Sequence, residues 1–150
     1  MSSQVANNSA HANSWQFTGV VFDAVLPLAG RMLLSAIFLI SGIGKLTAPA
    51  ATIGFIASTG LPFAQLGLAI AVFTELVVGM ALLVGLGTRI AAAWLAVFCL
   101  ATAVIFHSNF GDQNQFIHFL KNLAMCGGLL QFIAFGAGRF SLDARVRRTG

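Results

Sequence analysis

Arg31, Lys45, Glu75 and Lys121 are ionisable side chains set in, or at the edge of, long apolar runs. A charge in hydrocarbon costs several kcal/mol, so each is a functional candidate by default. Glu75, in AVFTELVVGM, stands near the middle of its run, about a dozen residues from either end. At 1.5 Å per residue, that is roughly 15 Å or more from water on each side. Its carboxyl must be protonated, paired or turned toward a wet cavity. Arg31, in LAGRMLLSAIF, lies in the preceding run at a depth of about 10–13 Å. Two antiparallel neighbours would bring these depths into rough agreement, which predicts an Arg31–Glu75 pair. Such a pair either fixes helix register alone or offers its carboxylate as a proton or ligand site. Glu75 and Arg31 are accordingly the candidate catalytic residues.

A second polar group gathers at the far ends of the runs. Lys45 closes the first and His107 the third; His118, Lys121 and Asn122 open the fourth. The loop between the last two runs adds Ser108, Asn109, Asp112, Gln113 and Gln115. On a helix His118 and Asn122 share a face at i, i+4, and Lys121 is i+3 from His118. Snorkelling to the headgroups accounts for Lys45 better than for Lys121, which lies a turn and a half inside. Lys45, His107, Lys121 and Asn122 are therefore the candidate ligand-binding residues. Cations there would stabilise negative charge developing on oxygen, which suits a quinone or a small anion.

Other chemistries fit less well. His107 and His118 as axial haem ligands are disfavoured, because histidines are few and occupy a single level. No metal site is assigned, since three or four converging ligands are not in evidence in the spacing. Cys99 and Cys126 each stand alone in an apolar run without CxxC, so they read as packing residues. No GxGxxG follows a strand and no P-loop occurs, so the chain carries no cofactor motif of its own.

The elements that must position these residues follow from composition. Of 150 residues, 58% are hydrophobic and 8% charged, against about a quarter charged in a soluble domain. That excludes a soluble monomer and a disordered chain. The basic residues form no patch outside the tail, which argues against a nucleic-acid binder. Apolar runs of about 20 residues, the length of a bilayer crossing, cover roughly Phe22–Leu46, Phe63–Leu86, Thr88–His107 and Phe116–Ala137. Residues 47–62, bounded by Pro49 and Pro62, are too short to cross. Ile53, Ile56, Ala57 and Gly60 follow helical spacing there, which predicts a short amphipathic helix at the interface or dipping into the protein. Gly42 with Gly44, Gly67 with Ala71, and Gly127 with Gly128 read as close-packing positions.

The fold expected is an all-α integral membrane four-helix bundle with a short amphipathic or re-entrant helix between helices one and two. Its parts are a polar N-terminal arm (1–21), a transmembrane domain (22–137) and a basic tail (138–150). The arm lacks a basic start followed directly by an apolar core, so the first crossing is expected to be retained. With an even number of crossings, Arg89, Arg139, Arg145, Arg147 and Arg148 share one side, against Lys45 and Lys121 on the other. That asymmetry puts both termini in the cytoplasm.

From Leu28 to Asp143 the chain resembles the DoxX family of small four-helix membrane proteins. The matching pieces are R-x6-F-x3-G-x2-K (Arg31, Phe38, Gly42, Lys45) and T-x-GF-x4-G-x-P (Thr52, Gly54, Phe55, Gly60, Pro62). They continue as E-x3-G-x5-G-x2-TR (Glu75, Gly79, Gly85, Thr88, Arg89), FLKN-x4-GG (Phe119 to Asn122, Gly127, Gly128) and SLD (Ser141 to Asp143). The resemblance implies a protein of the bacterial inner membrane whose polar motif falls on Arg31, Lys45, Glu75, Lys121 and Asn122. Family members include a subunit of a thiosulfate:quinone oxidoreductase and components of redox or thiol-stress complexes. The leading expectation is thus a membrane subunit that binds a quinone or small anion and works with a soluble or membrane redox partner. The alternative is a small proton-coupled transporter-like homo-oligomer using Glu75.

Overall fold

The computed structural model describes Gly19 and residues 21–149, so nearly all of the N-terminal arm lies outside the described residues. Within them the regular structure is helical: α1 Val21–Thr47, α2 Pro49–Ser58, α3 Ala64–Val84, α4 Thr88–Phe106, α5 Gln113–Phe135 and α6 Leu142–Thr149. Four of these (α1, α3, α4 and α5) are long and apolar enough to cross a membrane. Their limits follow the apolar runs closely, because apolar length is what a bilayer selects.

Local chemistry sets the breaks. Pro49 cannot donate a backbone hydrogen bond, so α1 ends just before it and α2 begins on it. The turn between α3 and α4 passes through Gly85 at φ +72° and Gly87 at φ +54°, a left-handed conformation that glycine adopts cheaply. Asp112 caps α5, accepting from the backbone N–H groups of Asn114 and Gln115.

The bundle packs through small residues. Ala91, Ala92, Ala96 and Ala103 are buried along α4, which lies against α5 in the most extensive helix contact of the molecule. Small side chains let backbones approach where lipid supplies no hydrophobic drive between helices. Gly42 does the same for α1 and α3: a Cβ there would stand 2.7 Å from Leu76 Cδ2 and 3.0 Å from Glu75 Cβ. Gly44 and Gly127, by contrast, face open space, so the close-packing role expected of them falls to Gly42 and Gly128. Both cysteines are buried and unbridged within the central core, beside Leu95 and Leu129. Large apolar side chains such as Leu33, Ile90 and Phe135 point outward, the arrangement a lipid solvent requires.

The short helix α2 differs from its expected amphipathic character. It bears no charged residue, and its two hydroxyl side chains, Thr52 and Ser58, donate back to Ala48 O and Phe55 O. Ile56 buries against Gly67 of α3, and Phe55 stacks on Phe106 of α4 at 5.5 Å. A segment lodged between apolar helices and lipid needs no polar face.

The tail is also more than a charge signal. It turns back under the bundle, where Arg139 N–H donates to Asp23 O and Asp143 N–H to Gly85 O, both at 2.8 Å.

Candidate functional site

Glu75 lies in a π-helical turn, Phe73–Val78, inside α3. One extra residue per turn re-aims the side chains, and such turns recur at functional sites. Glu75 is 5% exposed and faces α1. Its partner there is Lys45, whose Nζ donates to Glu75 Oε1 at 2.8 Å and to Ser41 Oγ at 2.7 Å. Ser41 Oγ in turn donates to the same Oε1 at 3.1 Å. Ser41 and Lys45 stand at i, i+4 on α1, so both reach one carboxylate. Among the described residues Glu75 Oε2 is buried without a hydrogen-bond partner. The Lys45 side chain is 25% exposed and so joins this cluster to the surroundings.

The expected Arg31–Glu75 pair is therefore not formed. Glu75 packs level with Gly42, eleven positions along α1 from Arg31, or about 16 Å of helix rise. Arg31 sits at the opposite end of the bundle, 0% exposed, where Nη1 donates to Leu83 O at 3.0 Å and Nη2 to Phe140 O. Its partners are carbonyls left free at the end of α3 and in the tail, groups that an N–H-rich fork satisfies well. Depth counted from the ends of the apolar runs was the wrong measure, because the helices are offset along their axes.

The outer-end candidates divide into separate groups. His107 Nδ1 lies 2.7 Å from Gln115 Oε1, and the His107 ring stacks on His118 with centroids 5.1 Å apart. Asn122 Nδ2 donates to His118 O at 3.0 Å, while its Oδ1 accepts from Thr102 Oγ1 at 3.1 Å, tying α5 to α4. Lys121 is exposed on α5, with no ion-pair partner among the described residues. Direct contacts thus join Lys45 to Glu75 and His107 to His118, but not one group to the other.

A family model described as DoxX matches residues 26–108. The chain belongs to the DoxX family. The matched stretch carries Arg31, Lys45 and Glu75, whereas Lys121, Asn122 and the SLD segment lie beyond it. This DoxX protein is also 38% identical over 121 residues to the inner membrane protein YqjF of Escherichia coli, covering 81% of this chain and 92% of that protein. It is 34% identical over 126 residues to the inner membrane protein YphA of the same organism, covering 81% and 90%. No solved structure matches it significantly. With four candidate spans and such relatives, it is a DoxX-family inner-membrane protein.

Several polar residues escaped the sequence reading. Ser41 is an unremarkable serine until helical spacing from Lys45 is set against the position of Glu75. Ser35 and Thr74 are both 0% exposed; Thr74 Oγ1 accepts from Trp94 Nε1 at 3.0 Å, linking α3 to α4. Asp143 accepts from Gly87 N–H at 2.8 Å and Thr88 N–H at 2.9 Å, capping α4 from the tail. Its place in the SLD segment was the one visible signal.

Proposed function

We propose that this DoxX protein is the membrane subunit of a quinone-linked redox complex, with the Lys45–Glu75 pair as its ligand and proton site. The observation that carries this reading is the buried, unpartnered Glu75 Oε2 beside a lysine that is partly open to the surroundings. An ammonium has three N–H donors, and Lys45 spends two on Ser41 and Glu75. The third donor and Glu75 Oε2 match a quinone head, whose carbonyl oxygens accept and whose reduced hydroxyls donate. A bound quinone would supply two-electron, two-proton carrier chemistry, with electrons delivered by a redox partner. Lys45 would stabilise charge on the ligand oxygen, Glu75 would hold a proton at Oε2, and Ser41 would keep the pair aligned. His107, Lys121 and Asn122, nearer the far surface, would form the outer approach.

The test is binding of a short-chain ubiquinone analogue to protein in nanodiscs. Lys45→Met is expected to lower affinity about tenfold, the loss of roughly 1.4 kcal/mol that one charge-assisted hydrogen bond supplies. Lys121→Ala should weaken binding less. Unchanged affinity in both variants would remove the assignment.

A second reading, a small proton-coupled transporter-like oligomer, is favoured by the π-turn around Glu75, since π-turns inside helices recur at functional sites. Counterflow driven by a pH gradient in liposomes, and lost in Glu75→Gln, would select it. For orientation, the excess of arginine beside the tail supports both termini in the cytoplasm.

A further inference from the structure

The tail helix α6 is short and strongly two-sided. Leu142 and Val146 are exposed along one stripe, and Arg145 and Arg148, at i, i+3, flank it. Arg145 and Arg148 join Arg139 around a cleft of about 520 Å³ whose apolar wall is Val84, Phe140 and Leu142. Among the described residues no carboxylate lines this cleft, while Asp23 lines the adjoining one with Arg139, Arg147 and Arg148. Among the described residues, no acidic side chain forms an ion pair with any of its three arginines. The nearest acidic residue on α6, Asp143, is already committed to the N–H groups of Gly87 and Thr88. The same end of the molecule exposes Phe135 and Leu86, near the ends of α5 and α3.

Three arginines around one cleft, none of them held in an ion pair among the described residues, call for an anion. Guanidinium groups match phosphate oxygens with paired N–H donors. The apolar wall beside them calls for hydrocarbon attached to that anion. Both are supplied by one molecule already present at this depth, and the cleft volume falls within the roughly 300–1,000 Å³ of small-ligand sites. We infer that Arg139, Arg145 and Arg148 form a binding site for the phosphate headgroup of an anionic phospholipid, whose acyl chains lie along Val84, Phe140 and Leu142. Bound there, the lipid would pin α6 against the ends of α1 and α3, where Arg31 and Asp143 already anchor the tail. Polybasic segments next to a span gain about 1 kcal/mol per basic residue from anionic leaflets; a built cleft adds headgroup selectivity to that general attraction.

The experiment measures thermal unfolding of the purified protein in a neutral detergent. It is titrated with short-chain phosphatidylglycerol, with phosphatidylcholine of the same chain length, and with inorganic phosphate. Phosphatidylglycerol is expected to bind at least tenfold more tightly than phosphatidylcholine, and Arg145→Gln/Arg148→Gln should abolish that preference. Each single variant should lose part of it, which keeps the test open if the double variant folds poorly. Equal stabilisation by phosphatidylcholine, or an unchanged preference in the variants, would overturn the site. Equal protection by inorganic phosphate at the same concentration would show a free-anion site and overturn the phospholipid assignment.

Discussion

Glu75 and Lys45 show how a membrane interior accommodates charge. Each ion alone would be costly to desolvate, and the pair offsets that cost through one short contact reinforced by Ser41. Removing one partner leaves the other charge uncompensated. Glu75→Gln or Lys45→Met should each destabilise the protein by several kcal/mol, of the order of the roughly 3–5 kcal/mol measured for broken buried pairs. Part of the Lys45 loss will be recovered by water, since that side chain is partly exposed. The double variant should cost clearly less than the sum, and a double-mutant cycle by thermal unfolding in detergent reads the difference. Strict additivity would mean that the pair contributes no coupling. Arg31 behaves differently, because it is held by carbonyls and loses no countercharge when Glu75 is changed.

Among the elements, the junction of α4 with the tail carries the clearest consequence. Asp143 belongs to α6 but caps α4, so one carboxylate joins two elements that are far apart in sequence. Burial alone would raise its pKa; hydrogen bonds from Thr88 and Gly87, with the positive charge of Arg147, outweigh that and hold it below the ordinary carboxylate value. A group lowered by folding contributes stability above its unfolded pKa of about 4 and loses it as pH falls through the folded value. Asp143→Ala should therefore cost about 1–2 kcal/mol at neutral pH, the range of a lost helix cap. The gap between variant and parent should close as pH drops below about 4. A difference in melting temperature that stays constant from pH 7 to pH 3 would contradict this. Gly85, beside the same junction, has no space for a side chain: a Cβ there would overlap the Arg31 guanidinium and the Ser141 side chain.

For the whole molecule, the distribution of charge against apolar surface governs insertion. The described surface is apolar around the spans, and its arginines collect at the end bearing α6. The proposed orientation, with both termini in the cytoplasm, requires that a cysteine introduced at Arg148 react with an impermeant maleimide only after the membrane is opened. One introduced at Asn109, in the loop between α4 and α5, should react in intact spheroplasts. The native Cys99 and Cys126 are buried and should stay silent in both. The reverse labelling pattern would invert the topology and place the Lys45–Glu75 pair nearer the cytoplasmic face.

The spans, the intervening short helix and the family were legible in the linear chain, because apolar length and the order of motifs are local or additive properties. Glu75 and Lys45 were legible as candidates for the same reason: a charge within an apolar run is conspicuous wherever it points. Their pairing was not. Which cation meets Glu75 depends on the axial offset of α1 and α3, set by the contact of Gly42 with Leu76, and on a π-turn that rotates the carboxylate. The bond from Asp143 to the start of α4, and the carbonyls gathered around Arg31, likewise join residues more than fifty positions apart. Spacing along a chain carries periodicity, but register between helices exists only once their surfaces have packed.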